Sequence, residues 1–189
     1  MAFLNSEQIK SMGFKSVGDN VELSEKASYY NCKNISIGSN TRIDDFCVLS
    51  AGDDGIEIGN HVHIAVGVSV IGVAKICIKD FAGLSSRVSV YSSSDDYSGH
   101  FMTNPTISSE FTNVTHGEVS IGKHVIVGSG AVILPNVTLE DGVAIGALSL
   151  VTKSCKEFNI YMGIPAKKIK ERSTNLLSLE FEFIEKNKI

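Results

Sequence analysis

The groups in this 189-residue chain best able to move protons are five histidines and a pair of adjacent carboxylates. His61 and His63 flank Val62 in NHVHIA, while His100 follows Asp95, Asp96 and Tyr97 in YSSSDDYSGHF. His116 precedes Gly117, and His124 follows Lys123. An imidazole beside an orienting carboxylate can take a proton from a hydroxyl or amine nucleophile near neutral pH. Lys153, Lys167, Lys168, Lys170 and Arg172 add a cationic cluster near the end of the chain, of the kind that pairs with phosphates. The four cysteines include no CxxC pair, and no zinc-site spacing is present, so no metal is expected.

What positions these groups is a six-residue register. Aliphatic residues recur at Ile121, Val127, Ile133, Leu139, Ile145 and Val151, and four residues after each comes Val125, Ala131, Val137, Val143, Ser149 or Cys155. Two inward positions in six, one large and one small, suit a flat face of a triangular prism, with three repeats to a coil. The fold is therefore expected to be all-β, a left-handed parallel β-helix. Going back along the chain, the register runs through Val17, Leu23 and Tyr29, then Ile37, Ile43 and Leu49, then Ile58, Ile64 and Val70, then Ile78, Leu84 and Val90. Six coils result. Cys47 and Cys155 fall on small inward positions and are expected in the core.

Every departure from six follows the third repeat of a coil, so all insertions leave from one edge of the prism. The largest, residues 91–118, carries Tyr91, Tyr97, Phe101 and Phe111 with Asp95, Asp96 and His100, and is expected to be an ordered binding loop. Residues 1–16 are expected to cap the stack, with a short helix over Ser6 to Met12 capped by Ser6. The β-helix should occupy 17–165, and residues 166–189 should form a helical tail.

The formal charge of -4 gives no broad attraction for nucleic acid, and no apolar run is long enough to insert into a membrane. A cytoplasmic location is expected.

The second half of the chain resembles the hexapeptide-repeat acyltransferases of the galactoside, maltose and O-antigen acetyltransferase branch. The residues that carry the resemblance are Ile121-Gly122, Val125 to Gly128, Leu134-Pro135-Asn136-Val137, Ile145 to Ser149, Val151-Thr152-Lys153 and Gly163-Ile164-Pro165-Ala166-Lys167. The resemblance implies a homotrimer with acetyl-CoA lying between neighbouring prisms, and a sugar or nucleotide-sugar acceptor entering from the loop side. It implies an O- or N-acetyltransferase, as in surface-polysaccharide synthesis. By position in that signature, Ser129, Ala147, Thr152, Lys153, Lys167 and Lys170 are the cofactor contacts. Ser129 and Ala147 are also eighteen residues apart, so they should stack on one corner.

Where galactoside-type enzymes keep a loop histidine, five residues after the coil's last anchor, this chain has Asp95. The base is therefore sought elsewhere. His63 faces outward on the prism face opposite the loop edge, so in a trimer it can meet the loop of a neighbour. His63 is expected to be the base with Asp95 of the next chain as its orienting carboxylate, and His100 is the second candidate. Asp95, Asp96 and Tyr97 are expected to bind the acceptor, and His61 to be solvated. Two other readings compete: a non-catalytic trimeric scaffold, and a zinc-dependent carbonic anhydrase of the γ type built around His61 and His63.

Overall fold

The computed structural model describes residues 2–186. Three parallel sheets form the faces of a prism. The first face stacks Ser16–Val17, Ile35–Ile37, Ile56–Ile58, Ile76–Ile78, Val119–Ile121 and Thr138–Leu139. The second stacks Glu22–Leu23, Arg42–Ile43, His63–Ile64, Gly83–Leu84, Ile126–Val127, Ala144–Ile145 and Asn159–Met162. The third runs from Ser28–Tyr30 through Val48–Ala51, Ser69–Gly72, Ser89–Tyr91 and Val132–Ile133 to Leu150–Val151. The register pairs successive anchors, such as Leu84 with Ile64 and Val127, and Ile133 with Val90 and Val151. The left-handed parallel β-helix expected from the six-residue period is therefore the fold.

The period works because each strand turns its anchor inward while the chain bends at a corner before the next. From Ile37 onward the anchors are no more than 4% exposed, and Cys47, Val125, Ala131, Val137, Val143, Ser149 and Cys155 fill the small positions beside them. Each large aliphatic side chain buried this way contributes about 1.5–3 kcal/mol. Burial raises the thiol pKa of Cys47, and that of Cys155 to about 11, which suits packing rather than reactivity. Val17 and Tyr29 in the first coil are only half-buried.

The ends differ from the sequence reading. Helix α1 spans Ser6–Ser11, and its cap is Asn5 rather than Ser6, with Asn5 and Gln8 forming a reciprocal capping box. After the sixth coil, Cys155 bridges Leu139 and the 159–162 strand pairs with 144–145, beginning a partial seventh turn. Lys167–Glu171 is a strand, antiparallel to Asn159–Met162, where a helical tail was expected from 166. The helix, α2, spans Asn175–Lys186. A helical reading missed the strand because its five residues are all exposed and its sequence, KKIKE, has no inward alternation.

Candidate active site

The long insertion leaves the edge between the third and first faces. Its base is a short antiparallel ladder, Ser93–Ser94 against Thr115–His116, and the loop is tied further by a bridge between Met102 and Thr112. Ser92 anchors it: its buried hydroxyl donates to the Ala74 carbonyl at 2.6 Å, and its own carbonyl accepts from Gly117 N–H at 2.9 Å. The loop thus stands off the edge and encloses a groove of about 570 Å³, lined by Asn31, Ala51, Gly52, Ile71 and Val73 of the prism and by Asp95, Asn104, Ile107 and Val114 of the loop.

Asp95 is exposed and lines this groove. Its neighbour Asp96 is engaged within the loop: Oδ1 accepts from Ser98 N–H at 2.9 Å and from Ser98 Oγ at 2.6 Å. The Ser98 hydroxyl holds the Asp96 carboxyl below its ordinary pKa. Asp96 therefore shapes the turn, which makes it a poorer substrate ligand than its position suggested. Tyr97 is 93% exposed and stands clear of the groove lining. His100 is also exposed, and His116 Nδ1 shares a hydrogen bond with Ser93 Oγ at 2.8 Å.

His63 lies on the second face, remote from its own chain's loop. Its Nε2 is 2.9 Å from Asp44 Oδ2, and Asp44 Oδ1 accepts from Arg42 Nε at 2.7 Å. Burial of Asp44 acts to raise its pKa, but hydrogen bonds from Arg42 and His63 outweigh it, leaving the carboxyl below its ordinary value. The orienting carboxylate expected from Asp95 is thus supplied within the chain by Asp44. With Nε2 engaged by a carboxylate, Nδ1 is the nitrogen left for substrate. Sequence reading missed Asp44 because it lies nineteen residues before His63, in a corner segment where a solvated acid is unremarkable.

His61, two residues away, does something else. It is a rung in a column on the edge between the first and second faces: its ring stacks on Phe81 at 5.0 Å, and Phe81 stacks on His124 at 5.0 Å. All three adopt positive φ at this corner. Helix α2 docks here, with Phe183 edge-on to His61 and Phe81, and with Glu180 bound to Lys123 and to His124, the latter at 2.7 Å. Arg172 completes the strap by donating to the His124 and Gly142 carbonyls at 2.8 and 2.9 Å. The expectation that His61 is solvated is corrected by this stack. His61 and His63 serve different neighbours, so a shared zinc site in one chain has no geometric basis.

The strap yields a prediction with a defined sign. Burial acts to raise the Glu180 pKa, but the hydrogen bonds from His124 and Lys123 prevail and depress it. A depressed carboxyl stabilises the docked helix fully above its unfolded pKa, and this contribution is lost as pH falls through the folded value. Protection of Asn175–Lys186 against hydrogen exchange, taken relative to the intrinsic amide rate at each pH, should fall on acidification below the ordinary carboxylate range, and Glu180→Gln should flatten that response. An unchanged acid response in the variant would assign it to other groups.

The donor candidates occupy two regions. Ser129 and Ala147 are exposed on the corner between the second and third faces and stack as expected, with Leu148 N–H donating to the Ser129 carbonyl at 2.9 Å. A Cβ on Gly128 would come within 2.5 Å of Ala147 N, so glycine is what lets the corner close. The turn 163–166 continues this corner, since Leu150 N–H donates to the Gly163 carbonyl at 3.0 Å. Lys167 and Lys170 follow on the antiparallel strand, exposed. Thr152 and Lys153, also exposed, leave the third face towards the loop edge, so they are set apart from that corner.

A family model described as bacterial transferase hexapeptide (six repeats) matches residues 118–153. The chain is 58% identical over 183 residues to a dTDP-4-amino-4,6-dideoxy-D-glucose acyltransferase from Escherichia coli, covering 97% of this chain and 95% of that one. It is 28% identical over 145 residues to a putative lipopolysaccharide biosynthesis O-acetyl transferase, WbbJ, from Escherichia coli K12, covering 74% and 69%. Among solved structures it resembles AntD, an N-acyltransferase from Bacillus cereus. A serine-to-alanine variant of AntD with dTDP-4-amino-4,6-dideoxyglucose and coenzyme A superposes with a TM-score of 0.94, at 45% identity and 98% coverage of both chains. AntD has also been solved with dTDP and 3-hydroxybutyryl-CoA, and with an aspartate ten positions after that serine replaced. With its six-residue register realised as a stacked prism and its near-full-length match to an acyltransferase, this chain belongs to the hexapeptide-repeat acyltransferase family and is an acyltransferase.

Proposed function

We propose that the protein transfers an acyl group from acyl-CoA to the amino group of a dTDP-linked 4-amino-4,6-dideoxy sugar. The observation that carries this reading is the near-full-length identity of 58% to an enzyme named for that acceptor. The site agrees with it. Asp95 is a carboxylate on the lining of the loop groove, which supports an acceptor that carries an ammonium, a charge an O-acetyltransferase has no need of. Ser85 and Asp95 are ten positions apart, the spacing of the serine and aspartate replaced in the AntD variants, which supports a role for both.

In this reading the enzyme is a homotrimer and the reaction occurs between chains. Asp95 of one chain receives the sugar's amino group, and the second face of the next presents Ser85, His63 and the thioester. The ammonium first gives up one proton to the Asp95 carboxylate; the free amine then attacks the thioester carbonyl, His63, fixed by Asp44, takes the second proton through Nδ1 as the N–C bond forms, and the C–S bond breaks with CoA leaving as the thiolate. Ser85 offers its hydroxyl to the developing oxyanion. Ser129 and Ala147 let the pantetheine arm approach the backbone, Lys167 and Lys170 meet the nucleotide end from the same chain, and Thr152 and Lys153, on the loop edge, meet it from the neighbouring chain. The acyl group need not be acetyl, since the AntD complex with 3-hydroxybutyryl-CoA supports a longer donor. Its products suit surface-polysaccharide synthesis, and its CoA and nucleotide-sugar substrates suit the cytoplasm.

The test is CoA release with dTDP-4-amino-4,6-dideoxyglucose against the matching 4-hydroxy sugar. Release with the amino sugar alone supports the reading, and equal release with both overturns N-acylation. For the donor end, Lys167→Ala and Lys153→Ala should weaken acetyl-CoA more than acetyl-pantetheine, by about 1 kcal/mol each. An equal loss for both ligands would mean that these lysines support the fold.

A further inference from the structure

Of the 17 glycines, eight adopt positive φ, and eight others stand where a Cβ would come within 3.0 Å of another atom. Gly83 does neither. Its φ is ordinary and a Cβ built on it meets nothing within 4 Å. It opens the two-residue strand Gly83–Leu84, paired with His63 on one side and Ile126 on the other, where glycine is less stable than alanine. Neither the backbone nor the packing of the chain asks for it. A strand glycine of this kind marks a place where something from outside approaches closely.

We propose that Gly83 keeps open the space for the donor's acyl chain and so sets the length of acyl group transferred. This rests on the acyl-CoA reading above. Gly83 lies two residues before Ser85, at the entry to the corner whose next turn carries Ser129, with Gly130 N–H donating to the Ser86 carbonyl at 3.0 Å. A pantetheine arm following that corner from Ala147 past Ser129 delivers its thioester beside Ser85 and its acyl chain onto Gly83. The wall on one side is Ile126, 47% exposed, which suits methylene groups. On the other side His63 Nε2 is already taken by Asp44. Ala65, whose N–H donates to the Leu84 carbonyl at 2.9 Å, adds no polar side chain. A sugar here would find His63 Nδ1 and little else for its several hydroxyls, whereas an aliphatic chain loses nothing.

Gly83→Ala and Gly83→Val test this, because the open space lets both fold. Binding of CoA, acetyl-CoA and butyryl-CoA is measured by calorimetry, and kcat/KM with each acyl donor alongside. Removing room for one or two methylenes is worth about 10- to 200-fold. Gly83→Val should therefore lower butyryl-CoA affinity and kcat/KM at least tenfold relative to acetyl-CoA, with Gly83→Ala between, and CoA binding and oligomeric state unchanged. An equal loss for both donors overturns the proposal. So does dissociation of the oligomer with an unchanged donor ratio, which would mean that a neighbouring chain fills the space. The affinities are read without an acceptor, so a failure to acylate the amino sugar would reject the acceptor reading and leave the Gly83 result standing.

Discussion

Asp95→Ala is expected to lower turnover on the amino sugar by about 10²- to 10⁴-fold, the range for losing a group that handles the reacting proton. The reason is its place. It is the exposed carboxylate on the lining of the loop groove, and Asp96 beside it spends an oxygen on Ser98. A 4-amino group arriving as ammonium must be held by a negative charge and must give up a proton before its nitrogen can attack. Asp95→Asn keeps the shape and loses the charge, so its loss should be smaller and should appear partly as a raised KM for the sugar. Acyl-CoA affinity should not change. Steady-state kinetics and donor calorimetry check all three, and weakened acyl-CoA binding would place Asp95 at the donor end instead.

His63→Ala is expected to lower kcat by at least about 10²-fold while leaving the KM for both substrates near normal. Its basic nitrogen has no substitute on the second face, because the adjacent strand positions are Arg42 and Gly83. Asp44→Asn should cost less, since Asp44 orients the ring without touching substrate. His100→Ala serves as the contrast. If His100→Ala abolishes turnover and His63→Ala does not, the base is on the loop.

The prism was legible because its rule is local: a large and a small inward residue every six, kept from Ile37 to Val151 apart from insertions at one edge. The loop's point of departure followed from the same count. The donor corner could be placed because Ser129 and Ala147 are separated by one full coil. What the period did not show depends on which outward side chains meet between coils. Asp44 sits just past the strand that pairs Arg42 with His63, so it meets His63 two residues out of register, and the three extra residues between Leu49 and Ile58 move that register from eighteen to twenty-one. The column of His61, Phe81 and His124 was hidden for the same reason, because the segment from 81 to 124 contains the whole loop. The strap of Arg172, Glu180 and Phe183 obeys no period at all. Gly83 could not be singled out among so many glycines until the space around each was known.

The central structural claim is that acyl transfer takes place between chains, with Asp95 from one and His63 from the next. Asp95→Ala and His63→Ala chains, each inactive alone, are unfolded together, refolded as a mixture and assayed for amide formation on the dTDP-amino sugar. In a random mixture of trimers about a quarter of the interfaces pair an intact Asp95 with an intact His63. Recovery of activity towards that fraction is the predicted result, and a mixture as inactive as its parents, with trimers demonstrably mixed, would contradict the shared site.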